Sequence, residues 1–387
     1  MPHAIADEVK IDPKKPNYAD RLPAGSRERL ENAGIDLNVY PSWPERPTDV
    51  KLAASVRAGV REHVDPGARA DKAQRALLGA PGVVATDLSV SIGTEIGGIQ
   101  LSQLTDQQKD ELALLIGERT VVVFRDQDLT PQAQRDLGAY FGEVEVHPTA
   151  AQVPGLPGVS IIWDELDPQK AAGQLGFRNA FGTQDWHTDL THEKQPPGIT
   201  HLHNDVVPPV GGDTFWASGY SAYDHLSPLF RAKIENLKGV YRSAHAYPSD
   251  PNDPASPKVH IEREHPLVRT HPGTGFVNRK YTTRIAGLEP AESKLLLEYL
   301  FDVYEKSLDC QIRVKWTPRM SVLWDNRISI HAACYDHEGK HPRHGTRVSS
   351  LAEVPYLDPS APSRREALGL VKEGEYEEVG QRREVAY

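Results

Sequence analysis

Trp186-His187-Thr188-Asp189 decides how this chain is read, because it has a distant counterpart in Trp324-Asp325-Asn326-Arg327-Ile328-Ser329-Ile330-His331. An imidazole and a carboxylate two residues apart on an extended segment point to the same side, and a remote imidazole can close the third corner of a metal-binding face. Two histidines and one carboxylate are the ligand type expected for non-haem Fe(II), with positions left open for oxygen and a co-substrate. His187, Asp189 and His331 are therefore the candidate metal ligands. An HxD pair alone is more often a surface turn or a satisfied histidine; the distal His331 in its Trp-Asp-Asn-Arg setting lifts it above that reading. His201, His203 and His192 form a competing cluster, of which 201 and 203 share a strand face; packed strand histidines are the preferred reading there.

Working outward toward the C-terminus, Arg343 and Arg347 lie in His341-Pro342-Arg343-His344-Gly345-Thr346-Arg347-Val348. A planar guanidinium holds a carboxylate through two parallel hydrogen bonds, which suits a site that must orient an organic acid beside a metal. Four residues apart on a strand, the two arginines face the same way.

The surrounding pattern is mainly β. Strand signals fall at Val83 to Val90 and on to Leu101, Thr120 to Phe124, Val159 to Trp163, Ile199 to Val206, Thr214 to Ala217, Val322 to Asp325 and Thr346 to Glu353. Helical spacing occupies Leu226 to Leu237 and Pro290 to Leu308, and two further helices open at Thr105-Asp106 and Thr130-Pro131, each with a threonine N-cap. Many short strands with a few helices outside predict a double-stranded β-helix, a jelly-roll or cupin-like barrel with flanking helices. Residues 1–82, rich in Pro and charge, read as an N-terminal extended arm that packs on the main domain or on a neighbouring subunit, 83–355 as the catalytic domain and 356–387 as a charged tail. The stretch from Trp163 to Gly182 is the candidate lid.

Composition narrows the partners. A net charge of −10 argues against nucleic acid or an anionic membrane as ligand. Two cysteines, Cys310 and Cys334, without zinc or disulfide spacing fit a reducing compartment, and no apolar run of about 20 residues is present to span a bilayer. The cytoplasm is the expected location.

With these motifs in place, the chain resembles the taurine/2,4-dichlorophenoxyacetate dioxygenase family of Fe(II)- and 2-oxoglutarate-dependent oxygenases, and within it the fungal sulfonate dioxygenase-like branch. Gly93-Thr94-Glu95-Ile96-Gly97-Gly98-Ile99, Val121 to Gln127, Pro196-Pro197, Gly211-Gly212-Asp213-Thr214 and the His and Arg segments carry the resemblance from about Val84 to about Pro355. It implies Fe(II), 2-oxoglutarate as co-substrate and O2, with Arg343 taking the distal carboxylate of 2-oxoglutarate and Thr214 as its hydroxyl partner. His147 and Arg347 stand where relatives hold a sulfonate. Thr183, Leu190, His192 and Tyr281 are implied to line the substrate. Ala150 and Thr183 occupy the positions that would grip taurine's ammonium, where that subfamily carries a tyrosine and an asparagine. The expected reaction is hydroxylation of a small anionic substrate, an alkyl sulfonate or a sulfate ester, with a carboxylate, amino acid or purine as the alternative. The resemblance is compatible with a homodimer or homotetramer. A zinc hydrolase would also use two histidines and a carboxylate, but the chain has no HExxH helix and that reading gives the arginine pair no role.

Overall fold

The computed structural model describes residues 21–40, 50–148, 150–163, 186–250, 252–253, 255–270, 280–334, 336–337, 341–367 and 369. Its strands are β1 (Val84–Asp87), β2 (Thr94–Gly97), β3 (Val121–Phe124), β4 (Gln152–Val153), β5 (Leu156–Trp163), β6 (Pro197–Val206), β7 (Thr214–Ser218) and β8 (Lys238–Arg242). The second half adds β9 (Tyr247–Pro248), β10 (Lys258–Val259), β11 (Glu262–Pro266), β12 (Thr282–Ile285), β13 (Gln311–Val314), β14 (Met320–Asp325), β15 (Ser329–Ala333) and β16 (His344–Leu351). A large sheet runs in the order β1-β2-β3-β14-β6-β16-β5-β4, and a small one in the order β13-β7-β15. Together they form the jelly-roll.

Register explains what fills the space between the sheets. Trp324 pairs with Thr200 and Val322 with Leu202, so these side chains share one face, while Leu323 and its partner His201 take the other. The inner face buries Val121, Val123, Leu202, Met320, Val322 and Trp324 against Trp216, Ile312 and Val314 of the small sheet. The outer face packs Val122, Phe124 and Leu323 under two helices, α4 (Asp106–Arg119) and α5 (Pro131–Phe141), through Leu112, Ile116, Leu137 and Phe141. Each such fully buried side chain contributes roughly 1.5 to 3 kcal/mol before the entropy of ordering it is set against the gain. Thr105 caps α4 in a reciprocal capping box with Gln108, and Thr130 caps α5 ahead of Pro131, as the sequence requires.

The N-terminal segment departs from the expected extended arm. It contains α1 (Ala24–Asn32), α2 (Val50–Arg57) and α3 (Arg75–Leu78). Leu22, Leu30, Ile35 and Tyr40 are buried in one cluster with Val144, Val159, Ile161, Trp163 and Val348 of the barrel. Composition concealed the helices, though not the packing, because a helix that borrows its core from a neighbouring sheet needs few apolar residues of its own. Arg29 on α1 seals the contact by donating to the Leu129 carbonyl at 2.6 Å and to Asp205 at 2.9 Å. A second difference lies at Leu226 to Leu237, where only Pro228–Ile234 is one regular helix, capped by Ser227.

Candidate active site

His331 sits in β15 of the small sheet, opposite Trp216 of β7. On its free side a single bridge joins it to His187, with reciprocal backbone hydrogen bonds of 2.9 and 2.8 Å. That bridge sets the two imidazoles 4.3 Å apart between ring centroids. The extended geometry inferred for the HxD motif stops there: Asp189 lies in a turn, and Leu190 adopts φ +50°. A left-handed leucine stores about 1 to 3 kcal/mol of backbone strain, held here by the Thr188 hydroxyl bond to the Ser329 carbonyl at 2.7 Å and the Glu193 N–H bond to the Leu190 carbonyl at 2.9 Å. The turn carries the Asp189 carboxylate to 3.7 Å from His187 Nε2. One ligand atom from each of His187, Asp189 and His331 lies within 4.8 Å of the others, close enough for one ion to bind all three.

The electrostatics suit a cation. Burial pushes His331 down to about 3, so its imidazole is neutral with a lone pair to offer. Burial alone would raise Asp189, but Arg347 and then the nearby histidines outweigh it and hold the carboxyl well below its ordinary range. Trp324 and Trp216 pack on His331 at 5.1 and 6.5 Å and fix its ring.

Arg347 enters from β16 across the barrel. Its Nη1 donates to both Asp189 oxygens at 3.2 and 3.3 Å, a contact the sequence did not foretell. Among the described residues its Nε and Nη2 have no hydrogen-bond acceptor. Arg343 stands one residue before β16 rather than inside it, but keeps the inward parity of Arg347. Gly345 between them is a packing requirement, since a Cβ there would collide with Asn204 and the His203 carbonyl of β6.

Arg343 is buried, lies 5.8 Å over the Trp316 ring, and among the described residues its Nε has no hydrogen-bond partner. The Trp316 indole N–H donates to Thr214 Oγ1 at 3.0 Å, so the expected 2-oxoglutarate residues share one corner. Gly211 and Gly212, at φ +80° and +72°, make the turn that starts β7 at Thr214. A buried guanidinium with an unmet donor is a fit for a carboxylate.

The residues expected to line the substrate divide. His147 is pushed down to about 3 by burial and by the Arg347 and Arg57 charges, and its Nδ1 accepts the Ala150 N–H at 3.1 Å. Tyr281 packs edge-on against His187 at 6.2 Å and lies 5.5 Å from His192. His192 is buried and neutral, and among the described residues neither ring nitrogen has a hydrogen-bond partner. Leu190 is buried and borders a small cavity also lined by Val56, Arg57, Glu145 and Glu193. Thr183 and the candidate lid lie outside the described residues. His201 and His203 sit on the helix-covered face of β6, where His203 Nδ1 meets Ser321 at 2.9 Å, away from the metal set.

Asp325, Asn326 and Arg327 have structural contacts. Arg327 chelates Asp325 and also bonds Glu353 at 3.0 Å and Asp65 of the N-terminal segment at 2.5 Å. Asn326 takes the Trp324 indole N–H at 3.1 Å and donates to Thr200 at 2.6 Å. Sequence reasoning missed Arg57, Glu145, Glu193 and Trp316. Only the spacing of Glu145 two residues before His147 offered a signal.

A jelly-roll with two imidazoles, a carboxylate and two inward arginines at one end defines the class, a barrel oxygenase that works on organic acids. The chain belongs to the taurine catabolism dioxygenase TauD, TfdA family, whose profile matches residues 85–349, and is a 2-oxoglutarate-dependent dioxygenase. It is 35% identical over 351 residues to the alpha-ketoglutarate-dependent dioxygenase cnsP of Penicillium expansum, covering 85% of this chain and 90% of that protein. It is 34% identical over 311 residues to the alpha-ketoglutarate-dependent sulfonate dioxygenase of Saccharomyces cerevisiae, covering 77% and 74%. Among solved structures, a putative alpha-ketoglutarate-dependent taurine dioxygenase from Burkholderia xenovorans superposes with a TM-score of 0.60 at 31% identity, covering 72% of this chain and 93% of that one.

Proposed function

We propose that this dioxygenase hydroxylates a small anionic substrate, an alkyl sulfonate or a sulfate ester, with His187, Asp189 and His331 holding Fe(II) and Arg343 and Thr214 receiving 2-oxoglutarate. The observation that carries the reading is the pair of inward guanidiniums: Arg343 with an unmet buried Nε, and Arg347 with donors to spare beside the metal set. Fe(II) with 2-oxoglutarate and O2 supplies the oxidising power to insert one oxygen atom into a C–H bond, with succinate and CO2 as co-products.

The chain's own residues supply position. Arg343 fixes the distal carboxylate of the co-substrate, and the Trp316 face beneath it excludes water. Arg347 bridges Asp189 and the head group of the prime substrate, so the anion is oriented by the residue that also orients a metal ligand. Neutral His147 gives the head group a second polar contact without a second charge. If the hydroxylated carbon bears a sulfonate, the product collapses to an aldehyde and sulfite. The relative in Saccharomyces cerevisiae named a sulfonate dioxygenase supports this class. The two unbonded ring nitrogens of His192 favour, as the alternative, a polar carboxylate, amino acid or purine.

The test is substrate-dependent succinate release across sulfonates, sulfate esters, amino acids and xanthine. Release with none of the anionic members would overturn the proposal. Both cysteines are free thiols, which supports work in the cytoplasm. The family resemblance is compatible with a homodimer or homotetramer.

A further inference from the structure

Helix α2 precedes the residues matched by the family profile, yet it ends at the active site. Ala53 and Val56 of this helix pack on Val146 and Leu351. Arg57, its last residue, passes between the two segments that flank the metal set. Its Nη2 bonds Glu145, its Nη1 donates to the Val146 carbonyl at 2.9 Å, and its Nε lies 3.0 Å from Glu193 Oε1. Glu145 precedes His147 by two residues and donates its N–H to the Ser349 carbonyl at 2.8 Å, two residues after Arg347. Glu193 closes the turn that presents Asp189. Gln195 and the Arg61 backbone exchange two bonds of 2.8 and 2.9 Å and hold the exit from α2 in place.

These charges form a row in two parts, Asp189–Arg347 and Glu145–Arg57–Glu193, joined where the Glu145 N–H meets the Ser349 carbonyl on the strand of Arg347. Burial raises Glu145 to about 7 against the pull of Arg57 and, after it, Arg347, so both guanidiniums act on this carboxyl, and Arg347 also lowers Asp189. Glu145 is buried, and among the described residues the cations that act on it most strongly are Arg57 and Arg347, so removing Arg57 leaves it to Arg347. A buried carboxylate takes the guanidinium within reach, because leaving it unpaired costs more than the pairing.

We infer that Arg57 is a positioning residue for the anion site: by holding Glu145 it keeps that carboxylate off Arg347, so that Arg347 remains open to the anionic head group of the substrate. This rests on the assignment of Arg347 and His147 to that head group. The 2-oxoglutarate corner formed by Arg343, Thr214 and Trp316 is not part of the row.

The probe is methanesulfonate, titrated calorimetrically into the full-length, metal-free protein, with anaerobic Fe(II) and 2-oxoglutarate absorption as the control. Arg57→Ala is expected to weaken methanesulfonate about tenfold or more while leaving the absorption band intact, as loss of an open charge partner predicts. Glu145→Gln in the Arg57→Ala background is expected to restore binding to within about threefold of wild type. Glu145→Gln alone tests the idea even if Arg57→Ala fails to fold, and must bind the probe at least as tightly as wild type. Wild-type binding in Arg57→Ala, no rescue in the double variant, parallel loss of the absorption band, or weaker binding in Glu145→Gln alone overturns the inference. Arg347→Ala separates the two proposals. Unimpaired binding there defeats the head-group assignment itself, whereas loss there with none in Arg57→Ala defeats only the role of Arg57.

Discussion

Arg343→Ala should cripple 2-oxoglutarate binding while leaving the unliganded fold as stable as before. Arg343 is 6% exposed, its Nε has no acceptor among the described residues, and its guanidinium lies 5.8 Å over the Trp316 ring. In the unliganded protein that guanidinium is buried with little return, so removing it relieves a desolvation cost as well as losing a stacking contact worth about 0.5 to 2 kcal/mol. With a carboxylate bound, two charge-assisted hydrogen bonds are lost, which costs about 2 to 4 kcal/mol or roughly 30- to 1000-fold in apparent affinity. The assay pairs succinate release at varied 2-oxoglutarate, with the prime substrate saturating, with a thermal melt of the metal-free protein. Arg327 is the internal contrast, since its guanidinium already pairs with Asp325, Glu353 and Asp65. A 2-oxoglutarate KM within about threefold of wild type, or a drop in melting temperature as large as that of Arg327→Ala, would refute the reasoning.

Alanine at His187, Asp189 or His331 should abolish Fe(II)-dependent turnover with a folded protein remaining, measured as bound iron and far-ultraviolet dichroism; normal activity of Asp189→Ala at low iron rules out the ligand set. Arg327→Ala strands the buried Asp325 carboxylate and should cost about 3 to 5 kcal/mol in urea unfolding, a loss under 1 kcal/mol being incompatible with the network. Burial pushes His201 down to about 3, and its ring nitrogens have no hydrogen-bond partner among the described residues, so below pH 6.5 the unfolded chain takes the extra proton. Stability should therefore be flat in this term above pH 6.5 and fall by about 1.4 kcal/mol per pH unit below it toward pH 3, a slope that His201→Leu removes; equal urea midpoints at pH 6.5 and 5 in wild type would exclude this. Taurine should be a poorer substrate than an alkylsulfonate without an ammonium, because Ala150 offers no polar side-chain atom to that charge; a kcat/KM favouring taurine about tenfold points instead to His192 or Tyr281 as the amine partner.

Local chemistry determined much of this protein from sequence. A β-branched run made β3 a strand, and Thr105 and Thr130 set the helix starts, because each depends on residues within a few positions. The candidate donor set was legible for the same reason: His187 and Asp189 are neighbours, and His331 and the arginines stand in distinctive local settings. Charge partners over long separations were not legible. That Arg347 meets Asp189, that Arg327 gathers Asp65 and Glu353, and that Arg57 holds Glu145 and Glu193 depend on which surfaces the two sheets and α2 bring together. A one-dimensional pattern shows periodicity, but a guanidinium in it has no address. The tertiary structure decided those pairings through register and burial, which left each buried charge only the partners within reach.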